Sequence, residues 1–251
     1  MTPAPAVDIR QISFTYPGQE RTCLRELSLQ VPAGERFGLF GPNGAGKTTL
    51  MSCMTGLLQP QQGSISLLGD ELTLHNKAIK KTFGFVPQDF SFYRELSPAE
   101  NLAFFGAWAG MDKQQIKTKT TELLEVLGLT DVRNKPVEKF SGGMKRRVNL
   151  AIGVMHNPKI IFLDEPTVGV DVHTRHAIIQ YLKTLNENGA TLVYTSHQLN
   201  EAEELCDKIA MIDEGKIIVH DTLRNLLQQH QQEGLEGLFI RLTGKEFRDT
   251  N

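Results

Sequence analysis

Eight consecutive residues have the types and the spacing that a phosphate-binding loop requires. They follow the apolar run 37–40, precede a helical pattern, and are Gly41, Pro42, Asn43, Gly44, Ala45, Gly46, Lys47 and Thr48. Glycines let the backbone bend around an anion with its N–H groups turned inward, and the following helix N-terminus adds partial positive charge. The pattern predicts that Lys47 reaches the β- and γ-phosphates of a nucleotide. Thr48 is predicted to offer its hydroxyl to Mg²⁺, with Thr49 beside it in the same turn.

A second candidate site follows the apolar run 160–163 and consists of two carboxylates. Asp164 can hold a metal ion, directly or through water, and Glu165 can orient and deprotonate a water molecule. An acidic strand end alone does not decide a function. Two adjacent carboxylates are nevertheless costly to hold together unless a cation or a shared proton offsets their repulsion. The pair therefore adds support for a metal ion and an activated water beside the phosphate loop, with a shared proton as the alternative.

A third segment lies between these two sites and discriminates among the many folds that use a P-loop. Its residues are Phe140, Ser141, Gly142, Gly143 and Met144. Ser141 and the two glycines are placed to open a helix, whose N–H groups and hydroxyl can grip a terminal phosphate. Taken alone, Ser-Gly-Gly is more often only a helix cap. In this position the segment resembles the signature motif of ATP-binding cassette (ABC) ATPases.

The resemblance to ABC ATPases extends over residues 7–221 and assigns four further roles. It implies an adenine-stacking aromatic at Tyr16, a glutamine near metal and water at Gln88, the D-loop aspartate at Asp171 and the γ-phosphate-binding switch histidine at His197. Two assignments have simpler alternatives. Tyr16 shares a strand face with Phe14 and could only pack there, and Gln88 follows a proline in a loop where an exposed glutamine is unremarkable.

Apolar periodicity predicts an α/β protein with a largely parallel, buried sheet and a helical insertion. The predicted strands are 7–14, 36–40, 65–68, 83–86, 160–164, 192–195 and 209–212, and the predicted helices are 46–56, 98–110, 114–127, 141–155, 172–188 and 199–205. His197 follows one of these strands and is expected at the sheet's C-terminal edge. His173 and His176 have no further ligand candidates and are expected on a solvated helix.

The resemblance implies a P-loop NTPase core with an N-terminal antiparallel β subdomain and an inserted α-helical subdomain. Residues 1–251 are then one ABC ATPase domain, with the nucleotide-binding core in 1–88 and 156–221, the helical insertion and signature in 89–155, and a short C-terminal extension in 222–251. Within that extension, 238–242 could form an edge strand, and the polar run 228–232 is predicted to end a solvated helix.

Composition narrows the setting in which the chain works. Its 27 Lys and Arg against 29 Asp and Glu give a net charge of −2, with no block of like charges to favour nucleic acid or anionic lipid. Cys23, Cys53 and Cys206 are odd in number and widely spaced, which argues against disulfides and zinc and favours a reducing cytoplasm. Neither a secretory signal nor a spanning apolar segment is recognisable. Any membrane role is therefore expected to come from a partner.

Several residues narrow the resemblance within the family. Phe140 and Met144 replace the Leu and Gln commonest at the ends of the signature, and Val170 replaces the commonest Leu before Asp171. The Met form, with the segments 96–102 and 104–106, resembles ATPase subunits of bacterial exporters of drugs, polysaccharides or related lipidic cargo. Aromatic residues cluster after Gln88. Phe90, Phe92 and Tyr93 are predicted to form a docking socket, whereas the helical spacing of Phe104, Phe105 and Trp108 favours the insertion's own core.

The resemblance implies a head-to-tail ATPase dimer, homodimeric here, that binds ATP with Mg²⁺. Each ATP would lie between the P-loop of one subunit and residues 141–143 of the other, and closure would drive export through separate transmembrane permease subunits at the cytoplasmic face of a bacterial inner membrane. The alternative is an ABC ATPase acting on nucleic acid or ribosomes. A P-loop small-molecule kinase would leave the signature segment and His197 unexplained.

Overall fold

The structure is a computed structural model that describes residues 4–73, 76, 78–196 and 199–244. In these residues the chain forms ten strands: β1 (Val7–Phe14), β2 (Leu24–Val31), β3 (Arg36–Phe40), β4 (Gln62–Leu67), β5 (Asp70–Glu71), β6 (Phe83–Val86), β7 (Ile160–Asp164), β8 (Thr191–Thr195), β9 (Lys208–Asp213) and β10 (Lys216–Thr222). Strands β3, β7 and β8 are almost entirely apolar and buried. Strands buried on both faces read as continuous apolar runs, which is why these were recognisable in the sequence.

The same residues form eight α-helices: α1 (Lys47–Met54), α2 (Pro98–Trp108), α3 (Lys113–Val126), α4 (Gly142–Val154), α5 (Val172–Glu187), α6 (Leu199–Leu205), α7 (Leu223–His230) and α8 (Leu235–Thr243). Capping boxes open α2 at Ser97 and α3 at Asp112, where the cap and the residue three positions later bond each other's backbone N–H groups. Among the described residues, no helix is both long enough and apolar enough to cross a bilayer.

The chain divides into two compact units, of which the first comprises Met1–Lys80 and Ala190–Asn251. One of its sheets is antiparallel, with the order β2-β1-β4-β5. In the other, β3 lies between β8 and β9 and is parallel to both, while β10 pairs antiparallel with β9. The expected antiparallel N-terminal sheet and the largely parallel core are therefore confirmed.

The second unit comprises Lys81–Gly189. Its strands β6 and β7 are parallel, and α2, α3, α4 and α5 provide most of the remainder. A Cβ at Gly84 of β6 would collide with the carbonyl oxygen of Gly153 on α4. Because neither glycine has a side chain, helix and strand meet backbone to backbone.

The C-terminal prediction is wrong, because Leu235–Thr243 forms the helix α8 and not an edge strand. Its buried residues Leu235, Leu238 and Phe239 are spaced i, i+3 and i+4, which is the period of a helix face. The short run 238–242 was too brief to reveal that period. The expected helix end in the polar run 228–232 is confirmed, since α7 ends at His230.

Candidate functional site

The predicted phosphate loop of the first unit connects β3 to α1. Gly44 and Gly46 have φ values of 79° and 109°, a region that glycine adopts without the penalty that a Cβ imposes. A Cβ at Gly44 would meet nothing within 4 Å, so this side of the loop is open. In the described chain, no side chain caps the first turn of α1. An anion can therefore take the place of the cap and accept hydrogen bonds from these N–H groups.

Lys47 places its ammonium group at this loop. The residue is 6% exposed, and its Nζ donates to the carbonyl oxygens of Gly41 at 2.8 Å and Pro42 at 3.1 Å. Thr48 is exposed in the next position of the same helical turn. A phosphate held by the loop amides would thus meet a cation and a hydroxyl from adjacent residues.

Tyr16 lies beside the first turn of α1. Its hydroxyl is 3.0 Å from Oγ1 of Thr49, and its ring packs edge-on against Phe14 with the centroids 4.9 Å apart. The thiol of Cys23 also donates to Oγ1 of Thr49, at 3.3 Å. Thr49 is 6% exposed, so its hydroxyl is buried against these two residues. Tyr16 therefore packs against Phe14 and also lies next to the phosphate loop, so its packing does not exclude a contact with a nucleotide.

A buried carboxylate holds the end of β8, directly before the predicted switch histidine. Glu201 is fully buried, and its Oε2 accepts hydrogen bonds from the Tyr194 hydroxyl at 2.5 Å and the Ser196 hydroxyl at 3.2 Å. His197 itself lies outside the described residues. Glu201 was not singled out in the sequence, although a glutamate in an otherwise apolar helix face is a usable signal.

In the second unit, the structure brings together Gln88 and the predicted general base. The Nε2 of Gln88 donates to Oε2 of Glu165 at 2.9 Å. Asp164 and Glu165 are 2% and 8% exposed. Glu165 also has a φ of 50°, an energetically costly backbone conformation for a residue with a side chain, which the surrounding contacts must maintain.

The signature serine caps α4. Its Oγ accepts a hydrogen bond from the N–H of Met144 at 3.3 Å, while Ser141 and Gly142 remain exposed. A serine hydroxyl that accepts one bond keeps its own proton for donation. The helix cap and the expected phosphate contact are therefore compatible, and Ser141 can perform both.

Asp171 has a structural role that the sequence analysis did not predict. Its carboxylate caps α5 and accepts hydrogen bonds from the N–H of Thr174 at 2.9 Å and the Thr174 hydroxyl at 2.7 Å. These bonds stabilise the charged form and lower the pKa of Asp171. A Cβ at Gly143 would lie 3.2 Å from the Thr174 hydroxyl and 3.5 Å from Oδ2 of Asp171, so the signature and the D-loop are neighbours within this unit.

Comparison with known proteins decides which class of P-loop protein this is. Residues 24–168 match the ABC transporter family, and this range contains the phosphate loop, the signature segment and the acidic pair. The chain belongs to the ABC transporter family. It is an ATP-binding subunit of that family and an ATPase.

Two relatives show which ABC ATP-binding subunits are similar to this one. The linearmycin resistance ATP-binding protein of Bacillus subtilis (strain 168) is 41% identical over 207 residues, which are 82% of this chain and 67% of that protein. The Nod factor export ATP-binding protein I of Rhizobium sp. (strain N33) is 35% identical over 225 residues, which are 90% of this chain and 73% of that protein. The expected similarity to exporter ATPases is confirmed.

Solved ABC ATPase structures have the same fold as this subunit. An ATP-binding subunit of an ABC transporter superposes with a TM-score of 0.87 at 27% identity and covers 95% of this chain and 99% of its own. A dimeric ATP-binding cassette in a post-hydrolysis state with ADP and Pi gives a TM-score of 0.80 at 27% identity, covering 87% and 99%.

Three polar residues that fix the loop after β6 in this ABC subunit were missed by the sequence analysis. Asn149, 1% exposed, donates to the oxygen of Pro87 at 3.0 Å and accepts from the N–H of Ser91 at 3.2 Å. Asn101 is fully buried. It accepts a hydrogen bond from the backbone N–H of Tyr93 at 2.9 Å and donates one to the backbone oxygen of Tyr93 at 3.0 Å. Arg146 donates to the oxygen of Gln88. Arg146 and Asn149 stand three positions apart on α4 and share its buried face with Val148, Leu150 and Ile152; that spacing is the signal that could have found them.

The core assignment of the helix aromatics is wrong for two of the three. Trp108 and Phe104 are 80% and 45% exposed, while Phe105 is half-buried. Helix α2 buries Asn101, Leu102 and Gly106 instead. Periodicity identified a face of the helix, but not which side of it meets the protein.

The exposed aromatic face of the ABC subunit therefore consists of Tyr93, Phe104 and Trp108. Tyr93 is 47% exposed, as the docking hypothesis requires, and its ring contacts Phe104 edge-on with the centroids 4.9 Å apart. The other two socket candidates, Phe90 and Phe92, are half-buried and stack on each other at 5.3 Å. An exposed aromatic cluster of this kind is typical of an interaction surface.

Proposed function

We propose that this ABC ATPase couples ATP-driven closure of a homodimer to substrate export through separate transmembrane permease subunits. Its similarity to a linearmycin resistance ATP-binding protein and to a Nod factor export ATP-binding protein supports a role in export. The subunit would work at the cytoplasmic face of a bacterial inner membrane and reach the membrane only through the permease. Neither relative acts on nucleic acid according to its name, and the net charge of −2 gives no support to such a partner.

ATP would bind with Mg²⁺, and the residues present fit that ion. Mg²⁺ is commonly held by one or two carboxylates together with substrate phosphates and waters. Asp164 supplies a buried carboxylate next to the buried Glu165, and a cation offsets the repulsion between the two. Thr48 supplies a hydroxyl next to the phosphate loop, and Gln88 supplies an amide. When bound, the ion would neutralise charge developing on the phosphates.

The residues of this chain would divide the work of hydrolysis. Lys47 and the backbone N–H groups of residues 43–49 would hold the phosphates, with Gly41 and Pro42 shaping the loop, and Tyr16 would stack on the adenine. Glu165 would take a proton from the attacking water, with Gln88 orienting the carboxylate. His197 would hold the γ-phosphate. Asp171, which caps α5, would keep its place in the D-loop at the subunit interface.

The second half of each site would come from the other subunit. Ser141 and the N–H groups of Gly142 and Gly143 would grip the γ-phosphate bound to the partner's P-loop. Ser141 and Gly142 are exposed at the start of α4, where a helix N-terminus favours an anion. The dimeric state of a similar ATP-binding cassette supports this arrangement.

Coupling to a permease is supported above all by one continuous segment. Residues 87–97 include Gln88, which contacts Glu165, and Tyr93 of the exposed aromatic face. Asn149 bonds the backbone oxygen of Pro87 at one end of this segment, and Asn101 bonds the backbone oxygen of Ser97 at the other. A partner that docks on Tyr93, Phe104 and Trp108 would therefore act on a segment that reaches the general base.

An ATP-dependent dimer tests the proposal. Glu165→Gln keeps the shape and the hydrogen bonding of the base but cannot accept the proton, so ATP should be trapped and the protein should elute as a dimer when ATP is present. Adding Ser141→Arg should abolish that dimer, because the larger side chain would occupy the space that the γ-phosphate needs. Size-exclusion chromatography with light scattering measures both.

The matched control is Glu165→Gln with Thr118→Arg, which adds the same side chain at an exposed position of α3. This control should dimerise as well as Glu165→Gln alone. If the Ser141→Arg double variant also dimerises, Ser141 does not complete the site of a second subunit. Chelation of Mg²⁺ should stop turnover in the wild-type protein.

A further inference from the structure

Arg146 is a buried cation that the roles above do not use. It lies on α4, the helix that Ser141 opens, and only 7% of it is exposed. Its Nη1 donates to the backbone oxygen of Gln88, and its Nε donates to the oxygen of Val168 at 3.3 Å. The guanidinium also lies over the ring of Phe90, 4.8 Å from the centroid. One side chain thus contacts two segments that are far apart in the sequence.

Both hydrogen-bond partners of Arg146 adjoin the general base. The side chain of Gln88 donates to the carboxylate of Glu165, and the N–H of Val168 donates to the backbone oxygen of Glu165 at 3.3 Å. The φ of 50° at Glu165 requires its neighbours to hold it. Arg146 therefore bonds one residue that contacts the side chain of Glu165 and one that contacts its backbone.

The guanidinium remains charged in this location. Burial lowers the pKa of Arg146, while the carboxylates of Glu165 and Asp89 oppose this and raise it. An arginine side chain is not deprotonated in proteins under ordinary conditions. Its charge and its fixed fork of donors can therefore bind two carbonyl oxygens at once, which an ammonium on a flexible stem does poorly.

We propose that Arg146 is a positioning residue for ATP hydrolysis, which holds Gln88 and Glu165 in the orientation needed to activate water. It acts through those two residues and touches neither ATP nor the attacking water. Because it stands in the second turn after Ser141, it also links the helix of the signature motif to the general base of the same chain. This inference rests on the proposed roles of Glu165 and Ser141.

Arg147 provides a matched control on the same helix. It is the next residue, and its Nη1 donates to the backbone oxygen of Leu127 at 2.8 Å, in a different part of the unit. Arg146→Lys and Arg147→Lys therefore make the same chemical change at adjacent positions. Arg146→Met serves as a second variant, since it keeps an unbranched chain but removes the charge and the donors.

The test compares steady-state ATPase kinetics and thermal midpoints of these variants with the wild-type protein. Arg146→Lys should lower kcat by about 10- to 100-fold, the usual effect of misplacing a reacting group, with KM for ATP unchanged. Arg146→Met should lower kcat further, and Arg147→Lys should behave as wild type. An unchanged kcat in both Arg146 variants overturns the proposal.

A second measurement separates positioning from a merely structural role. Arg146→Lys in the Glu165→Gln background should still form the ATP-dependent dimer, because the P-loop and the signature are intact. Loss of that dimer, a raised KM or a lowered thermal midpoint would assign Arg146 to the fold and overturn the inference. If wild type and Arg147→Lys lack ATPase activity, or if Glu165→Gln alone fails to dimerise, the proposed function fails and not the role of Arg146.

Discussion

The phosphate loop and the loop that carries Gln88 are built in different ways. The phosphate loop is shaped largely by its own residues, since Lys47 bonds carbonyls five and six residues back and two glycines supply the bends, with one long-range bond from the N–H of Gly215 to the oxygen of Ala45 at 3.0 Å. The loop of Gln88 is held by side chains from distant positions, with sequence separations of 58 residues for Arg146, 62 for Asn149 and 77 for Glu165. A locally built site is recognisable as a motif, whereas a site held at long range becomes visible only when the chain is folded.

The largest expected effect is on ATP turnover. It should follow from a change at Glu165, which contacts the loop held by distant side chains. Glu165→Gln should reduce ATP turnover by about 10²- to 10⁴-fold, the usual contribution of a general base, and should leave ATP affinity unchanged because the phosphate loop is untouched. Phosphate-release assays and nucleotide titration measure the two quantities separately. Glu187→Gln, at an exposed position of α5, is the control and should retain full turnover. A parallel loss of affinity in Glu165→Gln would show that the two regions are not independent.

A smaller effect, on ATP affinity, is expected from a change in the phosphate loop. Lys47→Ala removes a buried ammonium at the phosphate loop and should weaken ATP binding by about 10- to 100-fold, which corresponds to the loss of hydrogen bonds from a charged donor. Fluorescent nucleotide titration measures the change, with the exposed Lys117→Ala as the control. Unchanged affinity in a folded Lys47→Ala protein would contradict the assignment of the loop.

The smallest effect should follow from Trp108→Ser. The side chain is 80% exposed, so the free energy of unfolding should change by less than about 0.5 kcal/mol and ATP binding should remain normal. Retention of the transmembrane partner in a detergent pull-down should fall by about fivefold, the effect of removing an interface aromatic. Val126→Ser, which also changes a large exposed apolar side chain on a neighbouring helix, should leave the partner bound. Equal recovery of the partner with both variants would show that the partner does not dock on the exposed aromatic face.

Much of the fold was predictable where apolar residues form an unambiguous pattern. Strands β1, β3, β6 and β7 and helix α6 have the predicted bounds, because buried runs and turn residues mark their ends. Strand β2 was missed although Leu27, Leu29 and Val31 alternate with exposed residues, since the charged residues of 25–26 interrupt the run. Strand β10 was also missed, and helix α7 was predicted only at its polar end. Both are mostly exposed or half-buried, so their sequences show little of the apolar pattern.

The candidate site was predictable to the extent that its chemistry depends on motifs. Gln88 and Glu165 were each singled out in the sequence, and the structure joins them by a hydrogen bond of 2.9 Å, while their roles in catalysis stay predictions. Arg146, Asn149 and Glu201 were not predicted, because each works through backbone or hydroxyl groups that only the fold brings near. The exposure of Trp108 was also unpredictable, since one face of an amphipathic helix can meet either the core or a partner.

The close backbone contact between Gly84 and Gly153 fixes the C-terminal end of α4 against β6, so that a tilt of the helix would move mainly its N-terminal end. A Cβ on Gly153 would lie 2.5 Å from Cγ2 of Val86 and 3.1 Å from the oxygen of Phe85, so this end of the helix cannot slide along β6. Ser141 lies about 18 Å from Gly153 along the helix, at about 1.5 Å per residue. A tilt of about 5° around Gly153 would therefore move Ser141 by roughly 1.5 Å. Arg146 is nearer to Gly153 and would move by only about 0.9 Å. In such a tilt, the loop that Arg146 contacts at Gln88 would therefore move less than the start of the signature helix.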